Sequence, residues 1–458
     1  MEKFFKLKEN NTNVKTEIIA GFTTFMAMAY IIIVNPGTLV GWENMGSPLF
    51  NAVLAATCIS AAIGTLIMGL YANLPFAQAP GMGLNVFFAS VVVGTGAHQM
   101  GYTFEEGLAI ICISGIVFIL LTLTGFREKI VDAIPANIKY SITAGIGLFI
   151  AVIGLKNGGI IVAVEGKGFF LTNFSNFEGS KVAIVALIGL LIIAILMLMK
   201  VRGALLFGIL IATLVGIPFG VTNLEPLKTA ADAGTLFSVP DLSPTFLKLD
   251  FNGLFQGKGI FDAILTLLMV VVAFTLVDMF DTIGTLVGTA TKAGMVDKNG
   301  RVIRMNKALM ADAIATTAGA LLGTSTVTTY LESNTGISEG GRTGLTAVTV
   351  AVLFIISLFA APIVGIIPGA ATAPALIMVG VLMIGAVKNI TFDTIDDSMP
   401  AFLTMVMMPF TQSIATGIAF GFISYSILKT AKGKYKEVHP IVYILAILFI
   451  IRFLILPA

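Results

Sequence analysis

Charged side chains are scarce in this sequence. Only 11% of its 458 residues are Asp, Glu, Lys or Arg, and 57% are hydrophobic, whereas ordinary soluble domains carry roughly 25% charged residues. This composition excludes a soluble globular protein. The lysines and arginines lie mainly in short connections between apolar stretches rather than along one stripe, so a nucleic-acid-binding surface is not predicted.

Cysteine and histidine are rarer still, with two residues of each. Cys58 and Cys112 both lie in apolar stretches, where we expect them to pack, so a disulfide framework is not predicted. No group of His and Cys residues has the spacing of a metal site, and neither a metal nor a cofactor is predicted. Residues 1–17 are polar and basic and lack the short apolar core of a cleaved signal peptide, so we interpret them as a cytoplasmic tail.

Long apolar stretches fill most of the remaining chain. About 20 apolar residues are needed to cross a bilayer, and stretches of this kind recur throughout the sequence. The sequence therefore predicts an all-α, multi-pass membrane protein. The fourteen predicted spans cover residues 18–40, 50–72, 75–96, 106–125, 138–157, 181–199, 204–222, 263–287, 306–324, 326–344, 345–368, 370–388, 399–430 and 438–456.

Basic residues set the predicted orientation of these spans. Four lysines between residues 3 and 15 precede the first span and place the N-terminus in the cytoplasm. Lys200 and Arg202 follow an even number of spans and fall on the same side. The lysines within residues 429–436 agree with this rule only if Pro409 divides the span 399–430 into two.

The longest polar connection, residues 223–262, separates two sets of seven predicted spans. Each set has one irregular member at its third position. In the first set this span is interrupted by Pro80, Gly81 and Gly83, and in the second set it is the polar stretch 324–344. Interrupted spans at matching positions are typical of transporters built from inverted repeats, with a binding site between the repeats near the bilayer midplane.

Acids within the spans are the strongest functional signal. An acid at the bilayer centre costs about 2.5–3.5 kcal/mol, so it persists there only with partners or water. Asp278 and Asp281 are three residues apart and share a helix face with Thr285, and Glu332 lies in the interrupted tenth span. We expect Asp281 and Glu332 to face one cavity, where an acid can bind and release a proton and hydrogen-bond to a polar ring.

Several other polar residues in or near these spans have two interpretations each, one functional and one structural. Asn85 offers an amide to the edge of a planar heterocycle, but it can equally cap a half-helix. Asp278 and Asp312 either support the site or form structural hydrogen bonds between helices. Glu339 and Arg342 lie near the cytoplasmic end of the tenth span, where we expect a mutual pair or a gate instead of ligands.

Three other functions agree with parts of this pattern. An anion or bicarbonate exchanger of the same architecture would present positive charge rather than two acids. A membrane-embedded enzyme would need a nucleophile–base pair or metal ligands at membrane depth, and the sequence predicts neither. A channel would need rings of like groups in an oligomer, whereas these polar residues converge within one chain. A transporter is therefore predicted, and not an enzyme.

Four segments carry a resemblance to a known family. They read GFTTFMAMAYIIIVNP (Gly21–Pro36), QAPGMGLNVFFA (Gln78–Ala89), VDMFDTIGTLVG (Val277–Gly288) and GTSTVTTYLESNTGISEGGRTGLTA (Gly323–Ala347). In order and in spacing, over nearly the whole chain, they resemble the AzgA-like purine permeases. These permeases are a branch of the nucleobase–cation symporter-2 superfamily, which also includes uracil and xanthine permeases.

The resemblance implies an all-α fold of fourteen spans in two inverted seven-span repeats, like that of uracil permease. Residues 18–222 would form the first repeat and residues 263–458 the second, joined by residues 223–262. Spans 1–4 and 8–11 would form a core domain, and spans 5–7 and 12–14 a gate domain that also provides a homodimer contact. Spans 3 and 10 would each contain a short extended segment followed by a half-helix.

The resemblance also implies a proton-coupled symporter of the cell membrane that imports guanine, hypoxanthine or adenine. The family's substrate-binding acids fall on Asp281 and Glu332, which would also couple the proton, and its asparagine falls on Asn85. Backbone groups near Gly83 and Leu331 would complete the site for the base.

Two positions separate this sequence from the uracil branch. Asp281 stands where that branch has glutamate, and Thr285 where uracil permease has histidine, so the site has more room for a bicyclic ring. The superfamily's acid at the start of the ninth span falls on Asp312, which would support the site together with Asp278. The remaining alternative is a transporter of the same fold for xanthine, uracil or an anion.

Overall fold

The computed structural model describes residues 2–89, 101–125, 129–130, 133–164, 168–232, 237–256, 259–296 and 302–455, and this part of the chain is mostly helical. The last seven residues of the predicted span 75–96, residues 90–96, lie outside the described residues. The α-helices are α1 (Glu2–Phe5), α2 (Val14–Met28), α3 (Ile31–Val40), α4 (Pro48–Ile67), α5 (Met82–Phe87), α6 (Phe104–Leu123), α7 (Ala136–Asn157), α8 (Phe177–Leu198), α9 (Ala204–Gly216), α10 (Glu225–Asp232), α11 (Ile260–Ala293), α12 (Met305–Leu322), α13 (Ser333–Ser338), α14 (Gly344–Ser357), α15 (Ala361–Val364), α16 (Gly369–Ile384), α17 (Ile395–Thr411), α18 (Ile414–Ala431) and α19 (Pro440–Ile455).

Eight helical segments in the described part of the chain are long and apolar enough to cross a membrane. They are Val14–Val40, Pro48–Ala72, Phe104–Leu123, Ala136–Asn157, Phe177–Leu198, Thr266–Ile283, Gly369–Asn389 and Ile414–Ala431. Shorter apolar helices cover Ala204–Gly216, Gly344–Ser357 and Pro440–Ile451. The prediction of a multi-pass helical membrane protein, made from the composition, is therefore confirmed.

Polar caps begin several of these helices where the sequence leaves the apolar stretches. The side chain of Asn13 accepts a hydrogen bond from the backbone N–H of Thr16 at the start of α2, and Ser47 starts α4 in the same way. At α6, Thr103 and Glu106 form a reciprocal capping box. Each cap satisfies backbone N–H groups that have no partner within the helix.

Two short strands replace helix where the interrupted spans were predicted. The strand β1 (Gln78–Pro80) precedes α5, and β4 (Val327–Thr329) precedes α13 by three residues. The two strands pair antiparallel with Gln78 opposite Thr329, and all their residues are buried. Since extended backbone at membrane depth must have its polar groups satisfied inside the protein, this pairing explains how both breaks persist. The predicted extended segments in spans 3 and 10 are confirmed.

The helices form two packed groups. In the first group, which we call the central bundle, α14 packs on α2 and α4, and α12 packs on α4 and α6, with the β1–β4 pair among them. In the second group, the flanking bundle, α7 packs along α16. There α8 and α9 pack on α16, and α17 and α18 pack on α7. An exposed hairpin of β2 (Ile161–Val164) and β3 (Gly168–Leu171) joins α7 to α8.

The predicted span 399–430 is not one helix. It consists of α17 and α18, which turn back on each other at Gln412, where φ is +51°. The turn lies three residues after Pro409, which was the predicted point of division. Lys156 at the end of α7 donates to Gln412 at 3.3 Å, and Asn137 at the start of α7 bonds to Thr391, so the open end of the hairpin lies beside the start of α7.

A buried ion cluster closes that open end of the α17–α18 hairpin. The Nζ atom of Lys429, whose side chain is 5% exposed, lies 2.8 Å from Asp396 and 2.9 Å from Asp397. Lys432 contacts the other oxygen of Asp396 at 2.6 Å. The lysines of residues 429–436 therefore lie at the same end of the flanking bundle as the N-terminus of α7.

Replacing Lys429 with methionine is expected to lower the melting temperature of the detergent-solubilised protein by on the order of 5 °C. The change removes the cation that lies within 4 Å of Asp396, Asp397 and Glu437, and it leaves Lys432 as the partner of the buried Asp396. The control is Lys434→Met, because Lys434 pairs with Glu437 at a site where both side chains are more than two-fifths exposed and such pairs stabilise little. Equal melting temperatures for the two variants would contradict the role assigned to the cluster.

Candidate functional site

A cavity of about 550 Å³ lies between the central and flanking bundles. Its walls come from the α2–α3 junction, the β1–α5 and β4–α13 segments and α11 on one side. On the other side lie α7, α16 and the connection between α8 and α9. The volume is within the range of small-molecule sites, about 300–1,000 Å³. The two breaks in the membrane-spanning helices therefore face a common space.

Asp281 and Glu332 both line this cavity, as the sequence predicts. Asp281 lies on α11 beside the Thr328 hydroxyl of β4, and Thr285, one turn further along α11, lines the same wall. Glu332 occupies the position before the first residue of α13. Both carboxylates are half-buried, so they can reach a ligand in the cavity while the protein shields them from bulk water.

The Glu332 carboxylate is held by a residue that sequence reasoning did not identify. The Tyr30 hydroxyl, at the junction of α2 and α3, donates to its Oε1 atom at 2.9 Å. A second tyrosine, Tyr330, donates from its hydroxyl to the Pro80 carbonyl oxygen at 2.5 Å and so ties β4 to β1. In a sequence with 34 phenylalanines and eight tyrosines, neither tyrosine stands out from the apolar residues around it.

Glycine at position 81 allows the two breaks to approach each other. A Cβ atom on Gly81 would lie 2.6 Å from the Thr328 hydroxyl oxygen. This distance is shorter than the contacts that Cβ atoms make in proteins. Gly83 lines the cavity wall, and a Cβ atom there would lie 2.8 Å from Ile146 of α7. Leu331, directly before Glu332, is 42% exposed and also lines the cavity.

Three of the predicted site residues lie behind the cavity wall. Asn85 is buried on α5, where it accepts a hydrogen bond from Ser325, and its amide nitrogen lies 3.7 Å from the sulfur of Met82. Asp312 on α12 is buried and accepts from Thr282 of α11 at 2.8 Å. Asp278 is buried on α11, one turn before Asp281. These positions suit residues that support the wall.

The predicted pair of Glu339 with Arg342 is wrong. Glu339 pairs instead with Arg202 in the α8–α9 connection, at 2.5 Å. The Arg342 guanidinium donates to the backbone carbonyls of Ile337 and Gly341, at 2.6 and 2.7 Å, and so caps the end of α13. The Arg202–Glu339 pair joins the flanking bundle to the central bundle beside the cavity wall formed by residues 200–205.

Comparison with known sequences decides the family. Residues 15–420 match the model of the Permease family, Xan_ur_permease. The chain belongs to this family. The predicted resemblance to its AzgA-like members is confirmed, because the guanine/hypoxanthine permease PbuO of Bacillus subtilis is 45% identical over 454 residues, which cover 99% of this chain and 100% of that protein. The adenine permease AdeP of Escherichia coli is 41% identical over 458 residues, covering 100% of this chain and 97% of that protein.

The fold of the permease is also found among solved structures. The transmembrane domain of the cyanobacterial bicarbonate transporter BicA superposes with a TM-score of 0.61 at 16% identity, covering 96% of the permease and 97% of that chain. At this identity the likeness concerns the fold alone. The permease is thus a multi-pass membrane transporter and not an enzyme.

Proposed function

We propose that the permease imports purine nucleobases, namely guanine, hypoxanthine and adenine, together with a proton. The observation that carries this proposal is the presence of Asp281 and Glu332, both from the second half of the chain, on one cavity between helix breaks that come from both halves. A carboxylate accepts hydrogen bonds from ring N–H groups. Two acids facing a planar base can therefore bind it through several polar atoms at once.

The identity of the base is supported by the relatives. PbuO is a guanine/hypoxanthine permease and AdeP an adenine permease, and both align with this chain from end to end. Thr285 on the cavity wall leaves space beside Asp281, which favours a bicyclic ring. Asn85 supports recognition of the ring from behind the wall through its hydrogen bond from Ser325, which lies two residues before β4.

Proton coupling follows from the charge of the cavity. Two carboxylates that share a poorly hydrated space repel each other, and one bound proton removes most of that repulsion. A carboxyl group that gains a proton can also donate to a ring nitrogen. We therefore assign the coupled proton to the Asp281–Glu332 pair, with Asp278 and Asp312 as buried supports on α11 and α12.

The arrangement of the bundles supports two inverted repeats of seven spans. Helices α8 and α9 pack on α16 as α17 and α18 pack on α7, and β1 pairs antiparallel with β4. In this scheme the central bundle is the core domain and the flanking bundle the gate domain. The fourteenth span is then α18, not residues 438–456, and α19 is an addition after the second repeat. Dimerisation through the gate domain stays a prediction.

Lys200 and Arg202 support a cavity that opens to the cytoplasm. Both residues line the cavity, in the connection that the charge rule places on the cytoplasmic side with the N-terminus. The permease would then be captured facing inward in the cell membrane. An anion substrate is the alternative, since Lys200 and Arg202 line the cavity, but Arg202 is paired with Glu339 and the two acids at the helix breaks repel an anion.

Uptake of labelled hypoxanthine in cells without other purine permeases tests the proposal. Expression of the permease should raise the uptake, and unlabelled guanine and adenine should compete with it more strongly than xanthine, uracil or bicarbonate. No permease-dependent uptake of hypoxanthine, guanine or adenine would remove purines as the substrate class.

A protonophore should lower the steady-state accumulation of hypoxanthine to near the external concentration, because the proton gradient then no longer drives the base inward. The measurement compares accumulation with and without the protonophore at constant external pH. Replacement of external sodium serves as the control and should leave accumulation unchanged. If hypoxanthine still accumulates in the presence of the protonophore, the purine remains as the substrate and proton coupling is contradicted.

A further inference from the structure

Tyr30 occupies the joint between two helical segments of the first span. The helix α2 ends at Met28 and α3 begins at Ile31, so Tyr30 lies in the two-residue turn between them. Its side chain is 2% exposed and borders the cavity. A tyrosine that is buried to this degree normally has a partner for its hydroxyl group.

That partner is Glu332, 302 residues further along the chain. Among the described residues, Tyr30 is the one side chain that hydrogen-bonds to this carboxylate, and the hydroxyl donates to Oε1 at 2.9 Å. A hydrogen bond from a hydroxyl group to an ionised carboxylate is roughly twice as strong as one between neutral groups. The carboxylate also accepts from its own backbone N–H group, and since a carboxylate has about four acceptor positions, it keeps acceptor positions for a ligand in the cavity.

The helices that carry the two residues are fixed to each other. A methyl group on Gly336 would overlap with the Ala20 carbonyl and the Thr24 hydroxyl, so α13 lies directly against α2. At the far end, the buried Glu17 of α2 accepts hydrogen bonds from the backbone N–H groups of Arg342 and Thr346, at 2.9 and 3.2 Å. The Tyr30–Glu332 hydrogen bond therefore lies at the cavity end of α2 and α13, and further contacts join these two segments along their length.

We infer that Tyr30 is the positioning residue of Glu332, which it orients so that one carboxylate oxygen faces the transported base. The inference rests on the proposed function, in which Glu332 binds the base. Because α2 and α13 form one unit, the orientation is maintained while the central bundle moves against the flanking bundle. Tyr30 acts on the base through Glu332, since its own proton is already donated.

Tyr30→Phe tests this role because it removes the hydroxyl and keeps the ring. Losing one hydrogen bond to a charged group should raise the KM for hypoxanthine uptake about tenfold, with Vmax within about twofold of the wild type. Tyr140→Phe is the control, since Tyr140 lies on α7 and is 38% exposed, and both of its constants should stay unchanged. A KM for Tyr30→Phe within about twofold of the wild-type value would overturn the inference.

Infrared difference spectra of the purified protein provide a reading that does not depend on transport. The carboxyl band that disappears in Glu332→Gln belongs to Glu332, and Tyr30→Phe should shift this band. Tyr330→Phe, whose hydroxyl donates to the Pro80 carbonyl, should leave it in place. A raised KM with an unshifted band would mean that Tyr30 contacts the base directly, and the positioning role would be wrong. A shifted band in a protein that takes up no purine would keep the role of Tyr30 and remove the proposed function.

Discussion

Replacing Asp281 with asparagine is expected to abolish concentrative hypoxanthine uptake, with initial rates reduced at least about 100-fold. The amide has the shape of the acid but cannot bind the coupled proton or carry the negative charge that accepts the ring N–H groups. Asp281 lines the cavity opposite the flanking bundle, and no change of packing is introduced. Initial uptake rates per molecule of permease in the membrane provide the measurement.

Asp393→Asn is the matched control for this experiment. Asp393 is exposed in the connection before α17, and its replacement should leave uptake unchanged. Glu332→Gln should reproduce the loss seen with Asp281→Asn, because both acids are needed for one site. If both site variants accumulate hypoxanthine like the wild type, the two carboxylates are not the site, whatever the family of the chain.

Gly336→Ala should reduce uptake about tenfold or more, although the residue touches no substrate. The new methyl group would overlap with the Ala20 carbonyl oxygen, which belongs to the α2 backbone and cannot move aside as a side chain can. The helix α13 must then shift away from α2, and Glu332 at its first turn must shift with it. Displacements of about 1 Å at a site can cost about 100-fold in rate.

The chain supplies a control of the same chemistry. Gly385 follows α16 with φ near −55°, and a methyl group there would meet nothing within 4 Å. Gly385→Ala should therefore transport at the wild-type rate. Both variants need to be measured at equal amounts in the membrane. Equal uptake by the two alanine variants would show that the contact between α2 and α13 has no part in placing Glu332.

The site acids could be predicted from sequence because ionised groups are rare in apolar spans. Asp281 and Glu332 stand out against their surroundings, and the prolines and glycines around residues 75–83 mark a break that apolar helices do not need. Both acids line the cavity. The predicted breaks have the form of paired strands because each leaves backbone groups that only the other can satisfy.

Other features of the fold and the site depend on contacts between residues that are far apart in the sequence, and no local sequence pattern predicts them. The Tyr30–Glu332 and Arg202–Glu339 contacts join residues 302 and 137 positions apart, and neither partner's immediate neighbours indicate the pairing. The division of the predicted span 399–430 into two helices could be predicted only in part. Pro409 lies near it, yet the turn occurs at Gln412, because the Lys429 cluster and close packing of α17 on α18 determine where the chain reverses.

The β1–β4 pair has a consequence for how the protein is made. Gln78 and Thr329 are 251 residues apart, and a ribosome adds about 5–20 residues per second. Roughly 13–50 s therefore pass between synthesis of the first strand and synthesis of its partner. During this interval the first half of the nascent chain lies in the membrane without the partner strand of β1. A ribosome that stops before Thr329 leaves a fragment that can insert into the bilayer but cannot complete its own interior.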